Sequence, residues 1–498
     1  MLRRMFVAPD PGRTRLRFAA RAVLGIGLAV AVCALVGHSL TGGVTGGLAA
    51  LLALFTVADP TVRRQAATTA LLPVVGLPVL TLAALLHDHA VARDLAFLAV
   101  VGAGVYARRW GPRGHSLGVF AFMTYFIAQF VHATAGDLPE QYAAVLLGVL
   151  SAAAVRFGLW CYERRRPPVP VPAPAAGRGL ARVTTRQAVQ AVAGSGFALV
   201  AGQLISGQRW YWAVGATWWV FVNTASRGET LVRSFRRVLG TVLGIGLGLL
   251  VAVPVRGAEA PTAVLVAVCV FGIFYTAAVS YTWMMLWVTF MAGLLYGLLG
   301  VLEPGLLALR FAETGVGALG AALAVLFVLP VTTHAVTDAW IARALRCVHA
   351  CTAEAAARLA GTEGADPAPR VAELEQLLGR VRLAVAPLVH PLNPRRERRR
   401  RARRVLALLD ECAREIRGLV TVAADPEASH DARLAAACWR VEAAVEALTD
   451  GGSGHDGGLA PSPPAEGPAL AHLHGVERAL AELAAPLRVR SRTGLVDA

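Results

Sequence analysis

Residues 161–185 read CYERRRPPVPVPAPAAGRGLARVTT, the first long polar break in the chain. Its prolines lack the backbone N–H that a helix needs and favour an extended spacer, so the stretch reads as a linker. Six apolar segments precede it, at about 16–36, 42–58, 66–86, 93–107, 115–134 and 139–160. Six more follow, at about 186–206, 210–226, 233–253, 260–279, 281–300 and 306–329. A helix needs about 20 mainly apolar residues to cross the hydrocarbon core, so each segment is a candidate span. The shorter ones, 42–58 and 93–107, are candidates for a broken, tilted or re-entrant path. The expected fold is an all-α polytopic membrane bundle of about 12 transmembrane helices in two six-helix halves, 1–160 and 186–333, joined by the linker.

Charge supports this division. Only 16% of the 498 residues are charged and the mean hydropathy is +0.56, whereas a soluble chain carries roughly a quarter of its residues as charges. Charges are scarce before about residue 330 and abundant after it, which separates a lipid-facing body from a water-facing C-terminal region. The net charge of +16 comes from arginine alone, since the chain has no lysine.

The arginines orient the spans. Alternate gaps carry Arg3, Arg4, Arg13, Arg15 and Arg17; Arg63 and Arg64; Arg108, Arg109 and Arg113; Arg164, Arg165, Arg166, Arg178, Arg182 and Arg186; and Arg227, Arg233, Arg236 and Arg237. The opposite gaps carry Arg93, Arg209 and Arg256. Twenty against three places both termini and the linker in the cytoplasm, with the body in the cell membrane. Arginines set in topology-determining gaps argue against nucleic acid as a partner; the partner they imply is the lipid bilayer.

The halves read as repeats. At an offset of 166 residues Phe55 falls on Phe221, and His115, opening HSLGVFAFMTYF, falls on Tyr281, opening YTWMMLWVTFMA. Six is an even number of spans, so the halves would run in parallel about an axis along the membrane normal. From His334 the composition becomes that of a soluble helical domain, 334–498, with helices expected at about 335–360, 371–386, 395–422, 430–448 and 468–486. GGSGHDGGLAPSPPAEG, 451–467, is a flexible linker by composition.

Seven cysteines is an odd number, and none lies in an expected outer loop, so no disulfide framework is implied. Of Cys347, His349 and Cys351, only the two cysteines share a helix face, which reads as ordinary thiols and not as a metal site. The basic N-terminus followed by apolar residues imitates a signal peptide, but Leu16–Val36 is too long for one and reads as a retained first span. Nothing resembles a phosphate-cradling loop, a nucleophile elbow or a metal-binding His/Glu set; neither an enzyme nor a cofactor is expected.

The ninth segment holds the most specific motif. After Arg233, Arg236 and Arg237 it continues LGTVLGIGLG, with Gly240, Gly244 and Gly248 on one helix face, where they permit close approach of a neighbour. Thr241 can hydrogen-bond in the same region, and arginines at a helix N-terminus attract anions. RRVLGTVLGIGLG resembles the FUSC family, the fusaric-acid-resistance and aromatic-acid-exporter group, through Arg237, Gly240, Thr241 and Gly244. RFAETGVGALGAA is similar to that family's closing helix through Arg310, Glu313, Thr314 and Gly317, and YWAVGATWWVF fits as well. The first half departs from the motif, reading LLPVVGLPVL at the equivalent place. The resemblance implies export of small organic anions, aromatic carboxylates in particular. An organic-anion channel and a non-transporting membrane scaffold are the alternatives.

Three further features bear on a site. Arg310 and Glu313 are charges three residues apart within an apolar span, so they share a face, and intramembrane charge normally faces a cavity or a partner. This reads either as an ion pair or as part of the anion path. Trp218 and Trp219 lie deep enough to stack on an aromatic substrate, although packing also accounts for them. RRERRRRARR, 395–404, with Arg398, Arg399, Arg400 and Arg401 at its centre, suits contact with anionic inner-leaflet lipid. A homo-oligomer is left open by the sequence.

Overall fold

The computed structural model describes residues 13–163, 179–222, 224, 226–255, 258–300, 304–331, 333–362, 364–389, 396–423, 432–449 and 467–492. The proline run of the linker lies outside them, as do Arg3, Arg4, Arg164, Arg165, Arg166, Arg178 and Arg256, and most of the glycine-rich segment at 451–467. The chain divides into two compact units, Met1–Val331 and Thr332–Ala498. The described residues of both contain helices and turns and no strand.

The first unit consists of α1 (Thr14–Leu35), α2 (Leu40–Thr56), α3 (Val62–Leu85), α4 (Ala90–Tyr106), α5 (Gly111–Phe130), α6 (Leu138–Glu163), α7 (Val183–Ile205), α8 (Tyr211–Phe221), α9 (Arg227–Leu247), α10 (Glu259–Ala277), α11 (Tyr281–Leu298) and α12 (Pro304–Phe327). Side-chain caps set several of the starts. Ser39 accepts from the Gly42 N–H, Thr61 from Arg64 and Ser226 from Glu229, each satisfying an amide that the first turn leaves unpaired. Between α4 and α5 the chain passes through one 3-10 turn and then Gly111, whose φ of 76° reverses its course.

Nine helical runs among the described residues are long and apolar enough to cross a membrane, and one of them, Ala90–Phe130, holds both α4 and α5. Large apolar side chains such as Leu35, Leu204, Leu250 and Phe327 are exposed on the outside, the arrangement a hydrocarbon solvent requires. The segment expected as a full span at 210–226 is a helix of only 11 residues, about 16 Å at the usual rise. It ends early because Ser226 already caps the next helix, while Arg108 from α4's end donates to the carbonyls of Phe221 and Thr224. The first half has a counterpart: Arg156 of α6 donates to Ala53, Leu54 and Val57 at the end of α2.

Within the first half, α1 packs on α2 and α6, α2 on α6, α3 on α5 and α6, and α4 on α5. Within the second, α7 packs on α8 and α12, α8 on α12, α9 on α11 and α12, and α10 on α11. Between the halves, α4 packs on α7 and α10 packs on α1.

The second unit is built from α13 (Thr333–Leu359), α14 (Ala368–Val389), α15 (Arg396–Ala423), α16 (Ala432–Thr449) and α17 (Pro468–Arg492). Its core gathers Leu345, Val381, Leu409, Ile416, Val441, Val476 and Leu480. Arg440 of α16 bonds Glu477 of α17 at 3.2 Å, and Glu415 of α15 meets His472 at 2.8 Å. Burial pushes the Cys412 thiol up to about 12, aided by the nearby carboxylates of Glu411 and Glu415, and that of Cys438 up to about 11. The Cys347 thiol donates to the Arg370 carbonyl. Along α15, Arg400, Arg403 and Arg404 are exposed, and Arg398, Arg399 and Arg401 are half-buried.

Candidate functional site

The first unit holds a cavity of about 1040 Å³ of atom-free space, counting what opens at its mouth. Both halves line it: α2 supplies Leu48, Leu51, Leu52 and Phe55, and α5 supplies Met123, Phe126, Ile127 and Phe130. From the second half come Trp212 and Trp219 of α8, Ile273 of α10 and the Met284, Met285, Val288, Met291 face of α11. The walls are apolar, aromatic and thioether. Among the described residues, the charged ones lining it are Arg237 and Arg310, with no carboxylate.

Arg237 is buried on α9, and its guanidinium donates to the Tyr281 hydroxyl and the Met285 sulfur, each at 3.2 Å, while its Nε has no partner. Arg233, one turn earlier, stacks over the Tyr281 ring at 3.9 Å and donates to the Trp219 carbonyl. The expectation that Arg237 sits at a helix N-terminus is corrected. α9 begins at Arg227, so Arg237 lies nearly three turns inside it, beyond the first turn where the dipole acts. The charge-rich run 227–237 had hidden these turns from hydropathy.

Arg310 is buried on α12, and its guanidinium carbon lies 3.2 Å from the centre of the Trp212 ring. Among the described residues it makes no ion pair with Glu313, so the ion-pair reading is corrected as well. Glu313 is buried, and its Oε1 has no hydrogen-bond partner. Trp212 is itself wedged among Phe126, Phe130 and Tyr296, with ring centroids 4.9, 5.8 and 6.2 Å away.

The two sequence-selected tryptophans separate. Trp219 lines the cavity, but Trp218 is fully buried and stacks on Phe122 at 3.8 Å, so it packs α8 against α5. Thr241 is buried on α9 and is absent from the cavity wall. The glycines separate too. A Cβ on Gly240 would stand 2.5 Å from the Thr282 carbonyl oxygen, and one on Gly244 would stand 2.6 Å from the Thr289 Cβ, so both bring α9 against α11. A Cβ on Gly248 would meet only Leu307, at 3.9 Å. That glycine instead opens a π turn, Gly248–Ala252.

Sequence reading missed Trp212 as the partner of Arg310, and missed the methionines. Met123, Met284, Met285 and Met291 all line the cavity, and they are the chain's only methionines beyond residue 5. Flexible, polarizable side chains of this kind suit a surface that must adapt to more than one shape. That concentration was a signal available in the sequence.

No curated protein matches the chain. Residues 197–327, which carry α8 to α12 with Arg237, Arg310 and Trp212, match the family model described as fusaric acid resistance protein-like. The resemblance drawn from RRVLGTVLGIGLG is thereby borne out for this stretch, which lies in a chain whose described residues hold the apolar helices of a multi-pass membrane protein.

Proposed function

We propose that the protein moves small organic anions across the cell membrane, with aromatic carboxylates the best fit, and that the cavity between the halves is their binding site. One observation carries this reading: the walls are apolar and aromatic, and the charges they present are two buried arginines. Placing a charge at the centre of a span costs about 2.5–3.5 kcal/mol on insertion scales, and two guanidinium groups with no carboxylate partner among the described residues favour an anion that offsets the cost. A carboxylate can take two parallel N–H donors from one guanidinium, while its ring packs on Trp212, Trp219 and Phe126. A scaffold would have no use for either feature.

The proposed frame is twelve helices in two parallel repeats, α8 being too short to cross the bilayer by itself, with both termini, the linker and the 334–498 domain in the cytoplasm. The packing pattern supports the repeats: every helix pair named for the first half recurs six helices later, and the contact of α4 with α7 is matched by that of α10 with α1. The arginine bias supports the orientation. In this frame Arg398, Arg399, Arg400 and Arg401 meet anionic lipid.

The test is flux of salicylate, an aromatic carboxylate, through purified protein in liposomes. Uptake that saturates and is lost in Arg310→Ala supports the reading, and absence of flux for any organic anion in a panel removes it. Current driven by voltage alone would identify a channel. Reporters fused after Gly37 and His132 should lie outside, and those after Arg64 and Thr333 inside.

A further inference from the structure

A second cavity, of about 1080 Å³ including its open part, is lined by Arg15, Arg17, Arg21, Phe18, Phe55 and Phe274, among others. Phe55 lines both this arginine-rich vestibule and the main cavity. Its ring meets Phe274 edge to face at 5.4 Å, and Phe274 meets Phe18 at 5.1 Å. The three rings come from α2, α10 and α1, and α10 and α1 are packed together across the two halves.

We propose that Phe18, Phe55 and Phe274 form an aromatic partition through which an organic anion passes between the arginine vestibule and the main cavity. The inference rests on the organic-anion reading for its substrate class, and on this geometry for the partition itself. The vestibule collects anions because three guanidinium groups of one sign raise their local concentration. The rings then act as an apolar sieve. A hydrated inorganic ion would have to shed water against hydrocarbon, whereas an aromatic anion replaces ring–ring contacts with its own edge-to-face contacts. The main cavity on the other side of the rings presents Arg237 and Arg310.

The test uses the full chain carrying Val288→Cys, a position on the main cavity wall, in membrane vesicles of both orientations. The anionic thiol reagent sulfonatoethyl methanethiosulfonate is added, and its adduct at position 288 is followed by mass spectrometry. In vesicles exposing the arginine-rich end, Phe55→Ala should speed modification about tenfold, equivalent to about 1.36 kcal/mol off the barrier. Phe274→Leu, a milder change, should act in the same direction. Arg17→Ala should slow the anionic reagent and leave neutral methyl methanethiosulfonate unaffected. Unchanged rates in both phenylalanine variants, or equal acceleration from both faces, overturn the partition. Salicylate flux is measured in the same vesicles. A labelling response without flux in any chain supports the partition and removes the organic-anion reading, and flux without a labelling response overturns the partition alone.

Discussion

Arg310 holds its guanidinium against the face of Trp212, 3.2 Å from the ring centre, and not against Glu313 one turn along its own helix. The indole thus supplies the negative face that a carboxylate was expected to supply, without neutralising the charge. Arg310 keeps its positive charge at the cavity wall.

Arg310→Lys should therefore fail to replace arginine. Lysine keeps the charge but loses the flat surface that stacks on Trp212, and a desolvated cation–π contact is worth about 2 kcal/mol. Efflux should fall by roughly tenfold or more at equal membrane abundance, and Trp212→Leu should fall with it. Full efflux from either variant would remove the stack from the transport path.

Glu313→Gln separates the carboxylate from the arginine. Glu313 is buried with one oxygen unpartnered, so replacing the acid with a neutral amide relieves the cost of holding a carboxyl there without breaking an ion pair. Membrane abundance should hold or rise. A collapse in abundance would show that the carboxylate is paired with a cation after all.

Gly240→Val and Gly244→Val should lower abundance, because each added side chain meets the α11 backbone or Thr289 at under-contact distance. Overpacking of this kind costs about 1–3 kcal/mol. Gly248→Ala should be tolerated, since its Cβ would meet only Leu307. Quantitative blotting of membrane fractions checks all three.

Arg156→Leu tests the first half. Three carbonyls at the end of α2 would lose their donor, and each buried unsatisfied group costs about 1–3 kcal/mol. The variant should insert poorly, whereas Arg63→Ala, whose side chain has no comparable role in closing a helix end, should not. Equal abundance of the two would contradict the capping role.

Alkaline sensitivity of the C-terminal unit should trace in part to Cys412. Burial pushes its thiol up to about 12 in the folded unit, above roughly 8.5 for a free cysteine. A folded value raised above the unfolded one stabilises fully below about 8.5 and loses that contribution as pH climbs toward the folded value. Alkylation of Cys412 in the intact chain should therefore stay slow at neutral pH and accelerate above about pH 9 through opening of the bundle. Cys412→Ala should blunt the increase in opening, read at Cys438. An identical pH profile at Cys438 in both chains would exclude the thiol as its cause.

Amino-acid order alone determined which segments are helices, because hydropathy reports the solvent each segment needs and a lipid-exposed backbone must satisfy itself locally. It also singled out Arg237 and Arg310, since charges within apolar runs are visible without coordinates. Partners were not legible. Trp212, Trp218 and Trp219 lie within eight residues on one helix, yet Trp212 stacks on Arg310 at the cavity wall, Trp218 is buried on Phe122 and Trp219 lines the cavity without that stack. Their fates depend on α5 and α12, which approach α8 only in the folded bundle. The depth of Arg237 was hidden for the same reason: a helix start is set by the Ser226 cap, while a hydropathy window begins where polar residues stop. Composition along a chain reports which solvent a segment meets; which face meets the cavity is decided by helices far away in sequence.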